Sequence, residues 1–405
     1  MKKISVFYTG WDERWAFGIL ADNGSKLFFE YTPEALSQGL ELSPLHLKLS
    51  SETYGNFPMH QMCLPGLISD CLPDGWGLLL MDRLFRKHGI HPEQVSPLER
   101  LSLLENNGIG ALTFEPVNNE NLDIQDLKLF KIANEVQKII ANKASTVLPQ
   151  LVRLGGSPQG ARPKVLVSYD TKSQTVSTDP STTPWLIKFQ AKHEHKEVCA
   201  IESMYADLAK KSGIEMSDTE YFDLGKFSAF GTKRFDRDGK TRIPVHTVAG
   251  ALNADYSIPS SVSYDSFLRL TRLMTKDERE VYKAYRLCVF NVIFNNRDDH
   301  SKNFSFRLDK NRNWKLSPAY DLTFSQGFAG EHQMDICGEG RLPARDHLTR
   351  LAKDSGLNKK NCQEIIDHIM TMASQFKTEA SHWPIRKATL SIISHAIAEN
   401  LKRVI

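Results

Sequence analysis

Near residue 240 the apolar pattern changes period. Before it, short runs read as strands: "KISVFYTG" and "KLFFEYT", with "DNGSK" as a hairpin turn between segments. "LPDGWGLLLMDRLFRKHGI" begins with turn chemistry and becomes an amphipathic helix ending at Gly89. "SPLERL" offers Ser96 as an N-cap with Glu99 three residues on. A polar, helical stretch from 117 to about 150 reads as a connection. "RLGGSPQGARPKVLVSYD" is a glycine-rich turn followed by a strand, and "PWLIKFQ" is a second strand. "VCAIESMYADLAKKSGI" is a helix with a glycine stop, and "FSAFGTKRFDRDGK" runs from strand into turn. After residue 240, apolar residues recur at helical spacing through five segments, from "YDSFLRLTRLM" to "KATLSIISHAIAENLKRVI". A chain of 405 residues is also too long for one core. The expectation is an α+β protein of two or three parts, mixed first and helical second.

The composition narrows the class. Hydrophobic residues make up 41% and charged residues 24%, as in ordinary soluble proteins. Lys plus Arg against Asp plus Glu is 51 − 48, or +3, which gives little pull toward nucleic acid or membrane. No apolar run is long enough to span a bilayer, and "MKKISVFYTGWDERW" has no apolar signal region. The six cysteines contain no CxxC pair, so neither zinc nor a disulfide framework is supported. The expected location is the reducing cytoplasm.

The chemistry concentrates in "NRDDHSKNFSF", directly after the apolar run "YRLCVFNVIF". Asp298 and Asn303 form Asp-x-x-x-x-Asn, the spacing of a protein-kinase catalytic loop, where the acid takes a hydroxyl proton and the amide holds a metal. "KLSPAYDL" supplies a further acid, Asp321, 18 residues after Asn303. Carboxylate and amide oxygens suit Mg²⁺ and phosphate chemistry, and Lys302 offers positive charge to a transferring phosphoryl group. The plain alternative is a polar helix end in water, since this spacing alone arises often by chance, although caps rarely need so many charges. A third reading is a metal-dependent hydrolase using Asp298, Asp299 and His300. Against it, no second histidine cluster appears at ligand spacing. The spacing to Asn303 selects Asp298, leaving Asp299 as a helix-end charge. "GGSPQGARPK" is neither a Walker A nor a GxGxxG, yet such loops can wrap anionic oxygens, with a surface hairpin as the alternative. Lys188 in "WLIKFQ" either snorkels at a sheet edge or meets nucleotide phosphates. Glu202 on the next helix is its potential partner or an exposed charge.

Together, "LPDGWG", "GGSPQGARPKVLV", "LIKF", "KRFDR", "NRDDHSKNFSF" and "LSPAYDL" resemble, in order and spacing, the HipA family of serine/threonine-kinase toxins from bacterial toxin–antitoxin pairs. The resemblance implies an atypical two-lobed kinase fold: an N-terminal β-containing subdomain (1–115), a kinase N-lobe (116–240) and an all-helical C-lobe (241–405). It assigns Asp298 as catalytic acid/base, with His300 and Lys302 in the same loop, and Asn303 and Asp321 as Mg²⁺ ligands. Lys188 would meet ATP, with Gly160 and Lys164 in the glycine-rich loop. In "KRFDR", the hinge, Lys233 and Phe235 would meet adenine through backbone groups and Asp236 would lie near the ribose. Ser157 matches the family's autophosphorylated serine, whose phosphate would repel ATP and switch the enzyme off. The implied partners are a small DNA-binding, HipB-like antitoxin, DNA only through that antitoxin, and a protein substrate such as an aminoacyl-tRNA synthetase. The rival implication is an antitoxin-binding corepressor with weak or lost kinase activity. The chain departs from well-known members in a loop richer in Gly and Pro, and in "IPVHTVAGALNADY", which lacks a glutamine that some place near the nucleotide.

Overall fold

A computed structural model describes residues 2–104, 107–116, 127–141, 143, 145, 148–155, 160–170, 175–177 and 183–405. It divides into two units. The first comprises Met1–Lys196, Glu220–His246 and Gly250–Asn253; the second comprises Glu197–Thr219, Thr247–Ala249 and Ala254–Ile405.

Among the described residues, the first unit holds a four-stranded sheet, a six-stranded sheet and the short antiparallel pair Arg237–Asp238 with Thr241–Arg242. Strands β1 (Lys2–Tyr8), β2 (Trp15–Asp22), β3 (Leu27–Tyr31) and β4 (Leu112–Glu115) form the first in the order β3-β2-β1-β4. In β1 the alternation is strict: Ile4, Val6 and Tyr8 are buried while Ser5 and Phe7 are half-exposed, as a sheet with one covered face requires. The inner face is aromatic. Tyr8 stacks on Trp15 at 4.6 Å between ring centres, and Phe17 meets Tyr31 edge-on at 5.1 Å. The "DNGSK" turn joins β2 to β3, with Asn23 N donating to Lys26 O. The strand β2 itself, "WAFGILAD", lay between the two strands read from sequence.

The second sheet uses β5 (Leu127–Lys128), β6 (Lys164–Asp170), β7 (Thr175–Ser177), β8 (Pro184–Phe189), β9 (Thr219–Leu224) and β10 (Phe227–Lys233) in the order β5-β7-β6-β8-β10-β9. Its central strands carry near-continuous apolar runs, with Val165, Val167, Ile187 and Phe189 all buried. The helix Gly75–Lys87 follows the "LPD" turn, and the helix Pro97–Ser102 starts in a complete Ser96/Glu99 capping box.

The second unit is mainly helical. Tyr264–Thr275, Glu278–Ile293, Arg345–Asp354, Lys359–Ser374 and Lys387–Val404 match the five periodic segments. The all-helical expectation for 241–405 is corrected: strands Thr241–Arg242 and Val245–Thr247 open the range, and Ser305–Leu308 pairs with Trp314–Leu316 in an antiparallel hairpin. These strands are two to four residues long, too short for alternation to register as a period. The helix Glu278–Ile293 is the hub. Phe290 and Phe294 stack at 4.5 Å with no exposed surface, so truncating either ring is worth about 3–5 kcal/mol. Four of the six cysteines are buried and none is bridged, in keeping with small core residues. Among the described residues, no helix is long and apolar enough to cross a membrane.

A nearly buried carboxylate ties the first helix of this unit to its last. Glu197 accepts from Arg386 N at 2.8 Å, Arg386 Nε at 2.9 Å and Thr389 Oγ1 at 2.8 Å. Burial alone would raise its pKa. The Arg386 and Thr389 hydrogen bonds outweigh that and bring it to about 2. The folded pKa therefore lies below the unfolded value of about 4.3, so the stabilisation is complete above pH ~4.3 and is lost as pH falls toward 2. Melting native chain and Glu197→Gln across pH should show the native advantage largest near neutrality and closing between about pH 4 and pH 2. A gap independent of pH would contradict the ion pair.

Candidate active site

The polar cluster after the apolar helix turns out to be three layers of side chains with different destinations. Helix Glu278–Ile293 stops at Phe294, and Asn295 takes a left-handed backbone (φ 56°) that reverses the chain. Asn295 and Asn296 then serve the fold. Asn295 Nδ2 donates to Ser325 O at 2.9 Å, and Asn296 Nδ2 donates to Asn291 Oδ1 at 3.0 Å. Arg297 Nη1 donates to Gly330 O.

The residues expected to form the site start at Asp298. Its side chain is exposed, whereas Asp299 is 1% exposed. Asp299 accepts from Tyr264 Oη at 2.7 Å, His332 Nδ1 at 2.7 Å and Gln333 N at 2.8 Å. This corrects the expectation that Asp299 is a helix-end charge, because a solvent-facing cap would not gather three buried donors. It also speaks against a hydrolase centre of Asp298, Asp299 and His300, since the two carboxylates diverge. Asn303 Nδ2 donates to Asp298 O at 2.8 Å, so the amide nitrogen is used inside the loop and Oδ1 is the atom offered to a cation. Lys302 Nζ lies 4.4 Å from the centre of the Tyr256 ring, a cation–π contact that restrains the flexible ammonium. The His300 ring is 5.3 Å from the same tyrosine. Tyr320 Oη donates to Lys302 O at 2.7 Å, tying this loop to the turn that carries Asp321. Asp321 itself has φ 57°, a strained backbone for a non-glycine residue. Among the described residues, His300 Nδ1 and Ser301 Oγ are buried atoms with no hydrogen-bond partner. Orphaned polar atoms in a loop of this composition suit a site that takes water or a ligand.

The first unit carries its own predicted residues. Lys164 on β6 and Lys188 on β8 are directly paired across antiparallel strands, which puts both side chains on one face. They are 2% and 6% exposed. The antiparallel register thus sets two lysines side by side, an arrangement able to meet phosphate oxygens. Gly160 has φ 99°, a backbone conformation that residues with a Cβ rarely adopt, which favours glycine there. The "LPDGWG" turn holds this end of the glycine-rich segment. Gly160 N donates to an Asp74 oxygen, Trp76 N to Gly160 O at 3.2 Å, and Trp76 Nε1 to Lys164 O at 3.0 Å. Sequence reading marked "LPDGWG" but gave it no task; a buried Trp indole needing an acceptor was the available signal. Ser157 lies outside the described residues.

In the segment expected to be the hinge, Lys233 is exposed at the end of β10, Phe235 is half-buried, and Arg234 N donates to Pro184 O at 3.0 Å. Asp236 is deeply buried. It accepts from Arg234 Nε at 2.8 Å, Arg237 Nη1 at 2.8 Å and Gly110 N at 2.9 Å. Burial opposes its charge, but Arg234 and Arg237 hold its pKa well below the usual carboxylate range. Both oxygens thus serve protein donors, and a ribose contact would have to displace one. Arg242, also buried, is pushed down to about 10, by burial first and then by Arg234. Glu202 is 2% exposed within its helix, which sets aside the exposed-charge reading.

Another unforeseen arrangement lies in the first unit. Ser43 Oγ is 3.0 Å from His246 Nε2, and His246 Nδ1 is 2.7 Å from Asp70 Oδ2. The connectivity is that of a hydrolytic triad. Burial decides against that chemistry, since His246 has no exposed surface and Ser43 is 2% exposed.

Comparison with known proteins identifies the family. A HipA-like C-terminal domain matches residues 156–376, more than half the chain, and a HipA N-terminal domain matches residues 11–115. The chain belongs to the HipA family. This HipA-family chain is 25% identical over 317 residues to the serine/threonine-protein kinase toxin HipA of Shewanella oneidensis, spanning 72% of this chain and 68% of that relative. It is 28% identical over 197 residues to a putative kinase of Haemophilus influenzae, spanning 44% of this chain and 54% of the relative. Among solved structures, HipA from the Shewanella oneidensis complex of HipA, HipB and operator DNA superimposes with a TM-score of 0.71 at 19% identity, covering 98% of this chain and 96% of that one. At that identity the likeness establishes the α+β fold of the HipA family and no more.

Proposed function

We propose that this HipA-family chain is a protein serine/threonine kinase that moves the γ-phosphoryl group of ATP to a protein hydroxyl, as the toxin of a toxin–antitoxin pair. The observation that carries the reading is the catalytic loop itself. One acid is presented outward, the next is buried, and the amide five residues on is pinned to the backbone of the first. Asp298 accepts the hydroxyl proton as the oxygen attacks the γ-phosphorus, and the bond to the β,γ-bridging oxygen breaks. Lys302, held over Tyr256, meets charge on the transferring group. Lys164 and Lys188 take the remaining phosphates. Asn303 Oδ1 and the Asp321 carboxylate are hard oxygen donors and fit Mg²⁺, which takes few protein ligands and fills its shell with water and phosphate oxygens. When bound, the ion neutralises phosphate charge.

Ser157 is the proposed autophosphorylation site. A phosphate there adds nearly two negative charges in the segment preceding Lys164 and competes with ATP for positive charge. A HipB-like antitoxin is the proposed partner, by analogy with the complex of the structural neighbour. With a net charge of +3, DNA contact through the antitoxin is favoured over direct binding.

Incubation with Mg-ATP should place phosphate on the chain, and chelation of Mg²⁺ should abolish it. Lys188→Met should weaken ATP binding about 10- to 100-fold by calorimetry, the worth of one charge-assisted hydrogen bond. Unchanged ATP affinity in that variant would remove Lys188 from the nucleotide site.

A further inference from the structure

We infer that Asp299 is a positioning residue for phosphoryl transfer: its buried carboxylate locks the catalytic loop so that Asp298 is held facing outward. The inference rests on the kinase reading of the same loop.

The argument begins with cost. A carboxylate out of water is expensive unless donors satisfy it. The Asp299 side chain has no exposed surface, and among the described residues its hydrogen-bond donors are Tyr264, His332 and Gln333 rather than a lysine or arginine. Its three donors come from separate places. Tyr264 opens the helix Tyr264–Thr275, and His332 and Gln333 lie in the segment that follows Asp321. Tyr264 Oη also accepts from Asn291 Nδ2 at 2.9 Å, and Asn291 Oδ1 accepts from Asn296 Nδ2 at 3.0 Å. The network thus spans two helices, the start of the catalytic loop and the segment beyond the proposed metal acid. Tyr264 and Asn291 have no exposed surface.

The consequence for Asp298 is geometric. Residues 297–300 carry no helical assignment, and His300 is extended (φ −72°, ψ 158°). The two adjacent acids already differ in burial, Asp298 exposed and Asp299 buried. Fixing Asp299 inward keeps the adjacent Asp298 outward, and the Asn303-to-Asp298 carbonyl bond holds the other end of the turn. A displacement of about 1 Å at a reacting group costs on the order of 100-fold in rate. The network around Asp299 is what prevents it.

Two variants test this. Asp299→Asn keeps the shape but turns an NH₂ toward protein donors; Tyr264→Phe removes one hydroxyl and keeps the ring. For Asp299→Asn, kcat should fall about 10- to 100-fold while KM for Mg-ATP stays within about twofold, and amide exchange across residues 296–303 should quicken. Tyr264→Phe should show a smaller fall in kcat with the same unchanged KM. Native kcat in folded Asp299→Asn, measured well below its melting temperature, would overturn the inference. If Asp299→Asn does not fold, Tyr264→Phe decides, and a lowered melting temperature with native kcat would reduce the network to a purely structural one. If the native chain transfers no phosphate, the kinase reading fails separately. Exchange then decides the positioning role, and an unchanged rate at residues 296–303 overturns it.

Discussion

Asp298→Asn is expected to lower phosphate incorporation about 10²- to 10⁴-fold, the usual contribution of a positioned general base, with little change in melting temperature. The small effect on stability follows from exposure: the Asp298 side chain faces solvent. Its backbone carbonyl, not its carboxylate, is what Asn303 binds. The substitution keeps that carbonyl and removes only the basic oxygen. ATP affinity should stay close to native, because the phosphates are assigned to Lys164, Lys188 and the Mg²⁺ ligands. Equal loss of ATP binding and transfer would recast Asp298 as part of the nucleotide site.

Asp236→Ala is expected to cost about 3–5 kcal/mol of stability, because it strands buried positive charge. Arg234 and Arg237 both bond to its carboxylate, with side chains 9% and 8% exposed. Burial pushes the Arg237 pKa well down, and neighbouring Arg234 and Arg242 push in the same direction. Asp236 is the counter-charge that makes this cluster tolerable. In a unit of this size the loss should lower the melting temperature by about 10 °C. A shift of less than about 2 °C with weakened ATP binding would return Asp236 to the ribose role implied by family resemblance.

Periodic features were legible in the sequence, and features made by burial were not. The helix Glu278–Ile293 could be read from spacing because one face repeats over four turns. The Ser96/Glu99 capping box is local and appears as read. The Asp298/Asn303 relation was equally local. Asp299 was misjudged because its partners, Tyr264 and His332, lie 35 and 33 residues away, and no local pattern announces such a convergence. The Lys164–Lys188 pairing required the register of β6 against β8, which depends on the whole sheet. The same holds for Asp236: "KRFDR" shows two arginines near an acid but not that Gly110 closes the cluster.

The most direct test is intact mass after incubation with Mg-ATP, using phosphatase-treated native chain and Asp298→Asn, with any phosphosite mapped. The account predicts one added phosphate on Ser157 in the native chain and none in the variant. No added phosphate on a native chain shown to bind ATP, or equal phosphorylation of the variant, would contradict it.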